Sequence, residues 1–186
     1  KRVAVVGAGI AGMEAAWAAA ARGHDVTVFG ASAVVGGKAW LREKLPGGET
    51  VSSIYDYQMV AAKRSGVNFI LGLEVTLSKL IKHRPDRVIL ATGSTMIRPF
   101  WLPEDICAEG WVVDLRSAMT DMLQHKGLQS GTIEPGTAVI CDTDHTEAVY
   151  AAAEALNARF ARTVIVTPRD TIATDVPLVN RQGIIR

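Results

Sequence analysis

Cysteine is nearly absent from this chain: Cys107 and Cys141 are the only two in 186 residues, and no C-x-x-C spacing occurs. That excludes a metal or cluster site built by this chain alone and points to a reducing, cytoplasmic compartment. Neither sign of charge dominates, with 20 Lys and Arg against 19 Asp and Glu. A net charge of +1 gives no reason to expect nucleic acid or an anionic membrane as partner. No apolar run is long enough to span a bilayer. The alanine-rich run before Arg22 is not followed by a cleavage pattern, so it is not read as a secretory signal. An initiating Met is missing, and the chain stops at Arg186 after an unfinished pattern, so a piece of a longer polypeptide is expected. What is present is Ala, Val and Gly in abundance and few aromatics (6%), the composition of an ordinary α/β protein. The length suffices for one domain with a full core or for two half-domains.

The first thirty residues organise the rest. The apolar, β-branched run Val3-Ala4-Val5-Val6 meets Gly7-Ala8-Gly9-Ile10-Ala11-Gly12, a G-x-G-x-x-G turn. A helix of about three turns follows, then a break at Gly23 and a second apolar run, Val26 to Phe29. This is a βαβ unit with a dinucleotide fingerprint in its first turn. In that fingerprint Gly7 permits the tight turn, Gly9 leaves the backbone bare for a pyrophosphate, and Gly12 lets the helix close on the strand. The helix start offers free N–H groups and positive dipole to phosphates. The residue ending the second strand, about twenty past the glycines, is normally acidic and holds ribose hydroxyls. Here it is Gly30, and Ser32 is the nearest hydroxyl that could substitute. Gly36-Gly37 supply a second place where backbone can approach a phosphate or ribityl chain.

Further along, Trp40 to Thr50 reads as loop. Ile54, Tyr57, Val60 and Ala61 recur at helical spacing, and Gly66 ends that helix. Val67 to Leu71 is a short strand, and Val75, Leu77 and Leu80 form a weak amphipathic segment. Arg87 to Ala91 is a strand with Thr92-Gly93-Ser94 at its carboxyl end, where open α/β sheets bind ligands. Ala91, Thr92 and Gly93 are therefore placed at the same site as Gly7 to Gly12. The proline-bracketed stretch Arg98 to Pro103 marks a boundary. Val112-Val113 reads as a short strand, Leu115 to Leu123 as a helix and Gly127 to Gly136 as loop.

A second βαβ unit then appears: a strand Thr137 to Cys141, a turn Asp142-Thr143-Asp144-His145, a helix from Glu147 to about Ala161, and a strand Thr163 to Thr167 closed by Pro168. Its turn holds no glycine. Asp142 and Asp144 are expected to face the space a pyrophosphate would need and to repel it. His145 reads as a polar residue at a helix start rather than a catalytic base, and Arg169 as a surface residue. No catalytic residue and no metal site is assigned.

The order of Gly7–Gly12, Gly36-Gly37, Leu45-Pro46-Gly47, Ala61-Ala62-Lys63-Arg64-Ser65-Gly66-Val67 and Ala91-Thr92-Gly93-Ser94 resembles the C-terminal half of the trimethylamine dehydrogenase / 2,4-dienoyl-CoA reductase branch of the NADH:flavin oxidoreductases. The Asp-rich turn followed by Thr167-Pro168-Arg169 looks like the amine-dehydrogenase side of it. The resemblance implies a Rossmann-like FAD/NAD(P)-binding fold, a parallel sheet with flanking helices, plus a second partial βαβ unit. It implies FAD or ADP in this chain, with FMN and an iron–sulfur cluster in an N-terminal barrel of the same polypeptide. An electron-transfer protein and a homo-oligomer are admitted as further partners. The boundaries read as 1–102 for the nucleotide domain, 103–135 for a connecting segment and 136–186 for the degenerate second unit. The expected enzyme is an amine dehydrogenase-like flavoprotein. The alternatives are a structural nucleotide-binding module without a redox role and an NADPH-dependent enoyl reductase. A plain NAD-binding domain is weakened by Gly30 and by the Gly36-Gly37 and Ala91-Thr92-Gly93 motifs.

Overall fold

The computed structural model describes residues 1–125 and 133–185. Contacts divide the chain into two compact units, Lys1–Glu43 with Glu49–Thr95, and Lys44–Gly48 with Met96–Arg186.

In chain order the first unit holds β1 (Arg2–Val6), α1 (Ile10–Ala21), β2 (Asp25–Gly30), α2 (Lys38–Glu43), α3 (Ser52–Arg64), β3 (Asn68–Leu71), α4 (Leu77–Lys82) and β4 (Arg87–Leu90). The four strands form one parallel sheet in the order β3-β2-β1-β4. Val3 pairs with Val26 and Val6 with Phe29, so the two strands flanking the glycine turn lie side by side as the βαβ reading requires. Side chains alternate across the sheet. Val3, Val5, Val26 and Val28 pack with Met13, Ala16 and Ala20 of α1 and Ala62 of α3 on one face. Ala4 and Phe29 pack with Leu80 of α4 on the other. Small side chains let α1 lie close to the strands, with Val5, Met13 and Ala16 fully buried.

The second unit holds α5 (Glu104–Ala108), α6 (Leu115–His125), β5 (Glu134–Cys141), α7 (Glu147–Asn157), β6 (Phe160–Val166) and α8 (Leu178–Ile185). β5 and β6 pair in parallel, with Ile140 opposite Ile165. No helix among the described residues is long and apolar enough to cross a membrane.

Several local expectations need correction. The stretch from Trp40 is not all loop, because α2 runs through Lys38–Glu43. Val112 and Val113 form no strand; both are exposed and precede the start of α6. A β-branched pair without a partner strand has no ladder to join. The helix expected to reach Ala161 stops at Asn157, where the Ala158 and Arg159 N–H groups bond back to Glu154 and Leu156. Phe160 already begins β6. The loop expected over Gly127 to Gly136 is strand from Glu134 onward, and residues 127–132 of it lie outside the described residues.

Helix α3 forms where the spacing predicts it, but it does not bury its apolar stripe. Its apolar stripe Ile54, Tyr57 and Val60 faces outward, at 49%, 62% and 48% exposure. Tyr55, Gln58 and Ala62 are the buried positions. Gln58 can be buried because its amide donates to the Ile10 carbonyl at 3.2 Å and to Glu14 Oε2 at 3.0 Å, which satisfies groups in the first turns of α1.

Candidate nucleotide site

The Gly7–Gly12 turn sits where β1 ends and α1 begins. Gly7 takes φ +113°, a conformation open to glycine, and its N–H donates to the Phe29 carbonyl at 2.8 Å. A Cβ on Gly7 would stand 2.1 Å from the Ala91 carbonyl oxygen, and one on Gly12 would stand 1.9 Å from the Gly7 carbonyl oxygen. Both positions are closed by backbone. Gly9 differs: no atom lies within 4 Å of where its Cβ would be. Ala8 is buried, Ile10 is half-buried and Ala11 is exposed. Gly9 begins α1 without a side-chain cap, so the first N–H groups of the helix are unclaimed by any capping side chain.

Two other predicted stretches converge on this turn. Gly36 forms an isolated parallel bridge with Gly9, and its N–H donates to the Ala8 carbonyl at 2.9 Å. A Cβ on Gly37 would be 3.2 Å from Gly9 Cα. Ala91 donates its N–H to the Val6 carbonyl at 2.8 Å, and its Cβ lies 3.3 Å from the Gly12 Cβ position. Thr92 and Gly93 follow on the exposed side. The sequence motifs Gly7–Gly12, Gly36-Gly37 and Ala91-Thr92-Gly93 thus form one constellation around Gly9.

The ribose end is different. Gly30 closes β2, and a Cβ there would meet Leu71 Cδ2 at 2.8 Å and Ala8 Cβ at 3.0 Å. The exit an acidic side chain would use is filled by Leu71 and Ala8. A glutamate introduced at position 30 would first have to displace Leu71 before it could reach a ribose. Ser32 is exposed, but its hydroxyl accepts the Val34 N–H at 3.3 Å within its own loop.

Residue-by-residue reading missed the supports beneath the site. Tyr55 lies under Gly36, three ring carbons falling 2.9–3.1 Å from the Gly36 Cβ position. Its hydroxyl donates to Glu43 Oε2 at 2.7 Å. Burial, then that carboxylate, pushes the phenol up to about 12. Glu14 accepts from Trp17 Nε1 at 2.8 Å and from Gln58, and these two hydrogen bonds, the first foremost, hold its carboxyl below the usual range. Lys38, directly after Gly37, donates from Nζ to Ser94 Oγ. Position alone could have flagged Lys38 and Ser94, since each immediately follows a predicted loop motif.

In the second unit the turn after β5 contradicts the expected orientation of Asp142. Its side chain is buried at 1% exposure and points inward. Oδ2 accepts from the Tyr150 hydroxyl at 2.7 Å, and Oδ1 accepts from the His145 N–H at 2.8 Å and the Asp144 N–H at 3.3 Å. Tyr150 in turn accepts the Ala173 N–H at 2.6 Å. Burial and the Asp142 contact raise the Tyr150 phenol. Asp144 stays exposed and accepts from Thr146 Oγ1 at 3.3 Å. His145 is buried at 2% exposure with φ +53°, its Nδ1 3.3 Å from Asp142 Oδ2. Arg169 lies at the surface and pairs with Asp175 at 2.9 Å, and this bond to the guanidinium lowers the Asp175 carboxyl. Among the described residues no group of three or more His, Cys, Asp or Glu could hold a metal ion.

The chain belongs to the pyridine nucleotide-disulphide oxidoreductase family, whose model matches residues 1–140. A probable N-methylproline demethylase of Rhizobium meliloti is 34% identical over 97% of this chain and 25% of its own length. An N,N-dimethylglycine/sarcosine dehydrogenase of Chromohalobacter salexigens is 35% identical over 90% of this chain and 23% of its own. Among solved structures, a 2-naphthoyl-CoA reductase in complex with 2-naphthoyl-CoA superposes with a TM-score of 0.80 at 28% identity, over 99% of this chain and 26% of that one. The chain therefore spans about a quarter of the length of these relatives. The resemblance read from the motifs stands with these matches.

Proposed function

We propose that the Gly7–Gly12 turn, with Gly36, Gly37, Ala91, Thr92 and Gly93 around it, binds the adenosine diphosphate part of FAD, or ADP itself. The chain is then the nucleotide-binding portion of a larger flavin-dependent oxidoreductase. The observation that carries this reading is the unequal use of the three fingerprint glycines. Gly7 and Gly12 are consumed by backbone packing, whereas Gly9 faces open space at the start of α1. That is the arrangement a pyrophosphate requires. Among the described residues, those of the turn fit the diphosphate, and Gly30 offers the ribose no carboxylate. A bound flavin would supply the redox chemistry, and this chain's share is binding and orientation.

For the whole polypeptide, an amine dehydrogenase-like enzyme is favoured over an NADPH-dependent enoyl reductase. A reductase fed by NADPH needs a second nucleotide turn. Here the Asp142 carboxylate already occupies the N–H groups of Asp144 and His145 that such a turn would present. FMN and an iron–sulfur cluster in an N-terminal barrel, with an electron-transfer protein as acceptor, complete this proposal. A cytoplasmic setting suits the free thiols of Cys107 and Cys141.

Calorimetric titration of the chain with ADP and with FAD tests the site. Saturable binding that disappears in Gly9→Val supports it, because a branched side chain there would fill the phosphate space. Equal affinity in Gly9→Val, or no binding by the unaltered chain, overturns it.

A further inference from the structure

We infer that Lys38 is a phosphate-binding residue of this site, held in place by Ser94, and that the site therefore selects its ligand by the diphosphate rather than by the ribose. The inference rests on the reading of the Gly7–Gly12 turn as a nucleotide site.

Lys38 immediately follows Gly36-Gly37, the pair that packs against Gly9. Ser94 immediately follows Ala91-Thr92-Gly93, whose first residue packs against Gly7 and Gly12. The bond from Lys38 Nζ to Ser94 Oγ therefore ties together the two loops flanking the turn. An ammonium carries three donors, and the serine hydroxyl takes one. Among the described residues no carboxylate is paired with Lys38, whose one contact is the serine. The ammonium is exposed, so it carries no burial penalty that a partner must offset.

The opposite end of the site points the same way. Gly30 stands where a carboxylate would hold the ribose hydroxyls, and Leu71 and Ala8 fill the space beside it. Ser32 spends its hydroxyl acceptor on Val34. Among the described residues, neither Gly30 nor Ser32 gives the sugar an acidic group, and Lys38 stands as a cation beside the Gly7–Gly12 turn. Its discrimination must then follow ligand charge: a free diphosphate is preferred over a monophosphate, and removal of the ribose 2′-hydroxyl matters little.

The test is calorimetric titration with ADP, AMP and 2′-deoxy-ADP. The proteins are the unaltered chain, Lys38→Met, Ser94→Ala, the double variant and Gly9→Val, at two salt concentrations. A charge-assisted hydrogen bond corresponds to about tenfold in affinity at its lower end, the end suited to an exposed lysine. Lys38→Met should lose about that factor for ADP, lose most of its preference for ADP over AMP, and show a weaker dependence on salt. Ser94→Ala should weaken ADP binding less, and that effect should vanish when Lys38 is already Met. The unaltered chain should bind ADP and 2′-deoxy-ADP within a factor of about three, since no charge-assisted bond to the sugar is lost. ADP affinity unchanged in Lys38→Met, with Gly9→Val inactive, overturns the role of Lys38 and leaves the nucleotide site standing. A strong preference for ADP over its deoxy form overturns the diphosphate selection. ADP binding unaffected by Gly9→Val, or absent from the unaltered chain, overturns the nucleotide site and this inference with it.

Discussion

Alanine at position 12 should cost the chain its stability, while valine at position 9 should cost it only its ligand. An ideal Cβ on Gly12 lies 1.9 Å from the Gly7 carbonyl oxygen, and contacts of this kind are not found below 3.0 Å. The obstacle is backbone, so no side-chain rotation relieves it. Helix α1 would have to retreat from β1 by roughly an ångström. Retreat opens the layer where Val5, Met13 and Ala16 are fully buried. Overpacking alone costs about 1–3 kcal/mol, and loosened packing beside it adds to that. A loss of about 3 kcal/mol in a chain of this size lowers the melting midpoint by roughly 6–12 °C. Gly9 has ordinary extended dihedrals, φ −79° and ψ −178°, and no atom within 4 Å of its Cβ position. Valine there should leave stability within about 1 kcal/mol, the main loss being a poorer helix cap. Circular-dichroism melts of both variants, paired with ADP titrations, make the comparison. Gly12→Ala melting with the unaltered chain, or Gly9→Val melting far below it, would refute the division of labour among the glycines.

Three further outcomes follow from the site geometry. Tyr150→Phe removes the donor to Asp142 and the acceptor of the Ala173 N–H, both buried, and should destabilise the second unit by about 2–4 kcal/mol in urea unfolding; a change under about 0.5 kcal/mol would show the network to be idle. The Tyr55 phenol, raised from 10.0 to about 12, favours the protonated folded state, so its stabilisation is complete below pH 10 and is lost as pH rises toward 12. Tyrosinate absorbance should show late titration from both Tyr55 and Tyr150, and the late amplitude should fall in Tyr55→Phe; an unchanged late amplitude in that variant would contradict the assignment. NADH and NADPH should not bind the second unit in fluorescence titrations, and saturable binding abolished by a substitution at Asp144 would move the enzyme to the reductase side.

In the first unit the sequence was legible where local rules and tertiary packing agree. The apolar, β-branched run Val3 to Val6, the glycine spacing and the break at Gly23 each point to the same βαβ arrangement, and the parallel pairing of Val3 with Val26 follows. The loops at Gly36-Gly37 and Ala91-Thr92-Gly93 were legible for a topological reason, since they lie beyond the carboxyl ends of parallel strands. Helix α3 was legible as a helix over Ser52–Arg64, but the face it buries was not, because periodicity scores hydrophobicity and not hydrogen-bond demand. Gln58 belongs inside, where its amide meets Ile10 and Glu14, and so Ile54, Tyr57 and Val60 turn outward. No pattern within α3 announces that need, because the groups it satisfies belong to α1, over forty residues earlier.

In the second unit the physical reason for expecting no nucleotide at the turn after β5 changes. The turn after β5 was read as unfit for a nucleotide because two carboxylates would repel phosphate. Only Asp144 remains outside to do so. Asp142 instead accepts the N–H groups at the head of the turn and the hydroxyl of Tyr150, the donors that a bound anion would otherwise take. A carboxylate supplied by the chain is present at a fixed place and needs no binding equilibrium, so an external phosphate would have to take the Asp144 and His145 N–H groups from it and leave it buried with only the Tyr150 hydroxyl. Losing hydrogen bonds to a buried carboxylate costs roughly 1.5–3 kcal/mol. That exceeds the roughly 0.3–1 kcal/mol a helix terminus offers an anion. On this account the second unit carries its own carboxylate in the turn, and the Tyr150 hydroxyl, eight residues on, helps hold it there.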